Sequence, residues 1–174
     1  MAAIVKQVLQ PNADEISNLE QLIDNAVWGQ IQADDYSVRK CIFFYEPSAV
    51  PDYAYDQDFD YSGWTSWNKE QCYAVDRACN YVHVAAAYWS LYRVARTYPD
   101  FLSRGWEWYL DQAQKTVIRV AGDGISYKGV GLMGETIFGE ILVDLGREGK
   151  TDMAQAVEDA TREHAKLWDS QEVL

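Results

Sequence analysis

Residues 70–98 hold the pattern that most limits the fold. Cys72, Val75, Cys79, Val82, Ala86 and Trp89 recur at alternating spacings of three and four. Tyr81, Val84, Tyr88, Leu91, Ala95 and Tyr98 fill a second face. A helix apolar on nearly all sides must be buried, so other elements have to surround it. Its polar residues form one thin stripe of Asp76, Asn80, His83 and Ser90. Pro99-Asp100 ends this helix and begins the next.

The rest of the chain supplies the surroundings. Asn12 to Gln32 reads as a first helix, capped by Asn12 or Asp14, with Ile16, Leu19, Leu22, Ile23, Ala26 and Val27 at helical spacing. Tyr36 to Tyr45 contains Cys-Ile-Phe-Phe-Tyr, which is β-prone, and reads as a short strand or extended segment. Phe101 to Val120, Gly134 to Gly146 and Thr151 to Trp168 are helical, the last capped by Thr151 or Asp152. Glycines crowd residues 121–131, which read as a loop. Short and long connections alternate, so the helices pair into hairpins with their long loops on one rim. The expectation is one all-α domain over 1–174. It comprises an N-terminal helix and extended segment (1–46), a long loop (47–69) and helical hairpins (70–174).

The loop carries the functional signal. Between Pro51 and Asn68, Asp52, Asp56, Asp58 and Asp60 alternate with Tyr53, Tyr55, Phe59, Tyr61, Trp64 and Trp67. Aromatic faces stack on the C–H faces of sugar rings, and carboxylates take the hydroxyls or perform acid/base work. The same rings would equally pack beneath a loop folded onto a core. A connection this long inside a compact domain is usually functional.

Composition narrows the partners. A net charge of −12 opposes nucleic acid and anionic membranes and tolerates neutral sugars. No apolar run approaches the roughly 20 residues of a membrane span. Met1 to Gln10 has no small-residue cleavage site, so no export signal is expected in this stretch and the localisation stays open, an exported longer relative being compatible. Cys41, Cys72 and Cys79 are an odd set without a disulfide framework. Cys72 and Cys79 lie two turns apart along one predicted helix, too far to bridge, and the cysteines read as buried small apolar residues. His83 and His164 are too far apart in sequence for a zinc spacing. Asp56, Asp58 and Asp60 alternate as in a calcium loop, but Tyr61 and Trp67 stand where an EF-hand needs Gly and Glu. That leaves only an irregular Ca²⁺ site to consider, with no other metal and no redox cofactor expected.

Several segments carry a resemblance: Tyr61-Ser-Gly-Trp64; Asn80 to Pro99; Trp106-Glu-Trp-Tyr-Leu110; Gly131 to Leu142; Asp144-Leu-Gly-Arg-Glu-Gly149; and Trp168 to Glu172. In that order they resemble an uncharacterised family of six-hairpin, (α/α)6 glycosidase-like proteins. The resemblance implies part of an α/α toroid and, by analogy alone, carbohydrate-active chemistry. A complete six-hairpin toroid needs more than twice the roughly five helices read here. A fragment or truncated relative is therefore expected, its bare apolar faces covered by missing helices or by a homodimer.

In such toroids long loops meet inner-helix ends, and two carboxylates flank the scissile bond. Glu135 follows Gly129, Gly131 and Gly134 at a loop-to-helix junction and is the first choice for the acid or base. Such a position also suits a carboxylate that only complements the helix dipole. Asp58 or Asp60 would be its partner, or would be ordinary solvated loop residues. Tyr61, Trp64 and Trp67 would form the sugar platform. His83 would hydrogen-bond substrate or be a satisfied core histidine. The expected function is a glycoside hydrolase-like protein using paired carboxylates on an oligo- or polysaccharide. The alternatives are a non-catalytic carbohydrate-binding or structural remnant, and a helical module that binds another protein.

Overall fold

A computed structural model describes residues 2–45, 47–60, 68–130 and 132–170. Those residues form seven α-helices and no named strand: α1 (Ala2–Leu9), α2 (Ala13–Leu22), α3 (Lys69–Tyr73), α4 (Ala78–Thr97), α5 (Trp106–Ala121), α6 (Ile137–Arg147) and α7 (Thr151–Asp169). The fold is all-α, as expected. Helix α4 is the hub. It packs most extensively on α5 and also touches α1 and α6, while the α6–α7 hairpin closes over α5. Ala78, Ala85, Ala86 and Ala95 are buried on α4 beside Tyr81, Tyr88 and Leu91. Small residues let neighbouring backbones approach, and the large rings fill the gaps between them.

The long predicted helix over 70–98 is in fact two. Helix α3 stops at Tyr73, and Ala74 turns to extended backbone at ψ 140°. The carbonyls an unbroken helix would use are taken from outside. Lys40 N donates to Ala74 O at 3.0 Å, Cys41 N to Cys72 O at 2.9 Å and Ser126 N to Asp76 O at 2.6 Å. The Tyr81 hydroxyl donates to Val75 O at 2.6 Å. Cys72 and Cys79 therefore do not share a helix face. The thin polar stripe also divides: Ser90 is fully buried and bonds the Ala86 carbonyl, whereas His83 is exposed and is not a core histidine.

The N-terminal third differs from expectation too. Asn12 does cap α2, its Oδ1 accepting from Glu15 N at 3.0 Å. The helix then widens into a π turn over Ile23–Val27 and ends, because Trp28 is extended and Gly29 takes φ +77°. The segment 36–45 forms no strand: Tyr36 takes φ +65°, and the chain meets its neighbours through single pairings such as Gln32 with Val38, Lys40 N with Ala74 O and Cys41 N with Cys72 O. Helix α5 starts at Trp106, after a 3₁₀ turn over Pro99–Phe101. Lys150 occupies the cap position of α7 and makes no side-chain cap bond, so neither Thr151 nor Asp152 caps that helix. Between α6 and α7, Gly149 adopts φ +68° and Lys150 N returns to Leu145 O at 2.9 Å, a closure that a glycine allows without strain.

Glu20 joins α2 to the start of α5. It accepts from Ser103 N and Ser103 Oγ, both at 2.8 Å, and from the Tyr109 hydroxyl at 2.7 Å. Partial burial works to raise its pKa. The bonds from Tyr109 and Ser103 outweigh that and hold the carboxyl below its ordinary value. A depressed folded-state pKa means stabilisation that is complete above the unfolded value and is lost as pH falls through the folded one. Glu20→Gln should therefore cost about 1–2 kcal/mol near neutral pH. In urea unfolding the gap from wild type should narrow as pH drops below the carboxylate range. A gap that does not change with pH would show that the charge plays no part.

Candidate functional site

Helices α6 and α7 run antiparallel, so the start of α6 meets the C-terminal half of α7. Thr161, His164, Ala165 and Trp168 fall at i, i+3, i+4 and i+7, one stripe along α7. Opposite them stand Glu135, Thr136, Phe138 and Gly139. Together these residues line an open groove of about 260 Å³. Gly139 leaves room: a Cβ built there would meet nothing within 4 Å.

The groove is held from behind by Lys128. Its ammonium donates to the carbonyls of Ala121 (3.0 Å) and Gly122 (2.7 Å), closing the end of α5. Its own carbonyl accepts from Trp168 Nε1 at 3.0 Å and also contacts His164 Nε2. The two rings lie 4.8 Å apart at 56°. The indole is thus anchored by its N–H and remains 37% exposed. His164 also lines a smaller hollow of about 150 Å³ with Ala121, Lys128, Glu163 and Leu167. Glu135 closes the turn before α6, its Oε2 accepting from Leu132 N at 3.2 Å, with Gly134 at φ +84°.

A larger hollow, about 390 Å³, is lined by residues that include Lys40, Arg77, Tyr127 and Met133. Its lysine is committed, with Nζ 3.0 Å from Asp76 Oδ1. The groove combines a half-exposed indole, a carboxylate, an imidazole and the exposed Thr136 hydroxyl, while Thr161 donates its own proton to the Val157 carbonyl at 2.9 Å. That set is closer to what a polyhydroxylated ring requires.

Of the residues singled out from sequence, Glu135 lies in this groove. Asp58 and Asp60 are exposed on the 47–60 loop and are not among the groove's lining residues. Asp58 N donates to Asp56 Oδ1 at 2.9 Å, an ordinary local turn. Among the described residues no group of three or more His, Cys, Asp or Glu is placed to hold a metal ion. His83 is exposed on α4 and does not line the groove. Tyr61, Trp64 and Trp67 lie outside the described residues. The described part of the loop carries an aromatic cluster: Tyr55 meets Tyr45 edge-on at 4.4 Å and Tyr53 at 4.6 Å, with Tyr53 largely exposed. His164 and Trp168 were not singled out. The signal lies in Thr161-x₂-His164-x₃-Trp168, a polar and aromatic stripe at helical spacing.

The fold and groove define an all-α, helical-hairpin protein with an aromatic-walled recess at a hairpin's open end. The chain matches, over residues 1–173, the model of a family described as "Family of unknown function (DUF5695)", and it belongs to that family. No curated protein matches it, and no solved structure does.

Proposed function

We propose that this domain is carbohydrate-active, in the manner suggested by its likeness to six-hairpin glycosidase-like proteins, and that the groove between α6 and α7 takes a sugar residue. The observation that carries the proposal is the anchored, half-exposed Trp168 indole beside Glu135 and His164 in one open recess. The indole face stacks on the ring, while Glu135 and the Thr136 hydroxyl bond its hydroxyl groups.

Hydrolysis requires a second carboxylate, about 5–5.5 Å away for retention or about 6.5–9.5 Å for inversion. Among the described lining residues Glu135 is the only carboxylate. That favours, as a second reading, a module that binds sugar without turning it over.

The test is a panel of plant, fungal and bacterial glycans, scored for both binding and released sugars. Trp168→Ala should weaken binding by about ten- to a hundred-fold, or about 1–3 kcal/mol, while Trp168→Phe keeps most of it. If sugars are released, Glu135→Gln should abolish release and spare binding. If binding alone is seen, Glu135→Gln should lower affinity only several-fold. A folded protein indifferent to every glycan, yet dimeric, would shift the assignment to a protein-interaction module.

A further inference from the structure

The break between α3 and α4 brings together two cysteines that are distant in sequence. Cys41 N donates to Cys72 O at 2.9 Å, so the two residues are bonded neighbours across the 36–45 segment and α3. A single N–H···O bond of this length, with about 1.5 Å from Cα to N on one side and about 2.4 Å from O to Cα on the other, keeps the two Cα atoms within about 6.8 Å, the reach of a disulfide. Cys41 lies close enough to the Cys72 thiol to help raise its pKa. Cys72 is buried and Cys41 half-buried. Neighbouring contacts hold the two segments in this register. Lys40 N bonds Ala74 O at 3.0 Å, Phe44 meets Tyr73 edge-on at 5.4 Å, and the Arg39 guanidinium sits 4.5 Å over the Tyr73 ring.

We infer that Cys41 and Cys72 form a disulfide in an oxidising environment, stapling the base of the aromatic–aspartate loop. The bond would close residues 42–71 into a ring containing every tyrosine of the exposed cluster. Cys79 is set apart from the pair, its Sγ 3.7 Å from Asn80 Oδ1 on α4.

A small-molecule disulfide such as oxidised glutathione is the oxidant. The more accessible Cys41 thiolate attacks one of its sulfurs. That S–S bond breaks, and the departing thiolate takes a proton from water. Cys72 gives its proton to solvent and attacks the Cys41 sulfur, expelling the second small thiol. Two protein thiols are oxidised, and one disulfide is reduced to two thiols. Burial, with Cys41 beside it, raises the Cys72 pKa and so lowers the fraction of thiolate available for the second step.

The full chain is incubated with oxidised glutathione, alkylated and digested, and its peptides are mapped by mass spectrometry. The expected product is a peptide joining Cys41 to Cys72, with Cys79 alkylated. The link should persist in Cys79→Ser and vanish in both Cys41→Ser and Cys72→Ser. Protease cleavage within 47–60 of the oxidised wild type should leave two fragments that separate only on reduction. A lasting glutathione adduct on Cys41 with Cys72 still a thiol, or any link that includes Cys79, would overturn the pairing. The wild-type map decides the matter even if a cysteine variant folds poorly.

Discussion

Gln32→Ala should lower stability by about 3–4 kcal/mol, the largest loss expected from any single truncation considered for this protein. Gln32 is completely buried between the N-terminal segment and the α4–α5 hairpin. Its Nε2 donates to Thr116 Oγ1 at 2.7 Å, and its Oε1 accepts from the Tyr88 hydroxyl at 2.9 Å. Burial pushes the Tyr88 phenol well above its ordinary pKa, so the ring stays protonated and remains a donor. Truncation removes its acceptor inside the core and leaves a cavity. An orphaned buried donor costs about 1–3 kcal/mol, and the cavity adds about one or two more. Thr116 suffers less, since its hydroxyl also donates to Gln112 O at 2.7 Å. For a chain of this size the melting midpoint should fall by about 6–15 °C. The mechanism is checked by a cycle with Tyr88→Phe. Removing the hydroxyl should cost about 1–2 kcal/mol in wild type and close to nothing once Gln32 is Ala. Additive losses would rule out the Gln32–Tyr88 bond as the cause.

This network shows why parts of the fold resist reading from sequence. Gln32 looks like the polar end of an amphipathic helix, and only partners far along the chain make it a core residue. The helices α4 to α7 were legible because each carries its own 3.6-residue periodicity. The break at 74–77 was not, since Ala-Val-Asp-Arg is acceptable helix sequence. It opens because Lys40, Cys41, Tyr81 and Ser126 compete for its carbonyls. Helix α1 has no readable signal of its own, because so short a helix is marginal alone and depends on its contact with α4.

The site divides the same way. Glu135 was legible because closely spaced glycines before a helical run mark a loop-to-helix junction, and that junction lines a groove. His164 and Trp168 became site candidates only once α6 and α7 were aligned antiparallel, which local pattern does not specify. The loop aspartates stand out by composition alone, and composition does not say which groove a carboxylate faces.

Asp144→Ala is the second large effect, and it reaches the groove itself. Asp144 lies on α6, only 2% exposed, facing α4. It accepts from Trp89 Nε1 at 2.9 Å and Arg147 Nη1 at 2.7 Å, and Arg93 Nη1 stands 3.6 Å away. One turn on, Glu148 accepts from the Tyr92 hydroxyl at 3.0 Å and Arg96 Nε at 2.9 Å. A carboxylate near a helix C-terminus is opposed by the dipole, and the arginines offset that. Removing Asp144 strands the indole N–H and separates like-charged guanidinium groups from their shared counter-charge. Because Arg93 and Arg147 reach solvent and can rehydrate, the loss should be about 2–3 kcal/mol, below the range for a fully enclosed pair. Asp144→Asn keeps an acceptor for the indole and should lose about half as much. The groove supplies a distinguishing readout. The hairpin that seats Glu135 and Gly139 against α7 is pinned to α4 through Asp144 and Glu148. Amide exchange in α6 should therefore accelerate in Asp144→Ala more than in α5. If both helices loosened equally, the residue would be a general core contributor, and its link to the α6–α7 groove would fail.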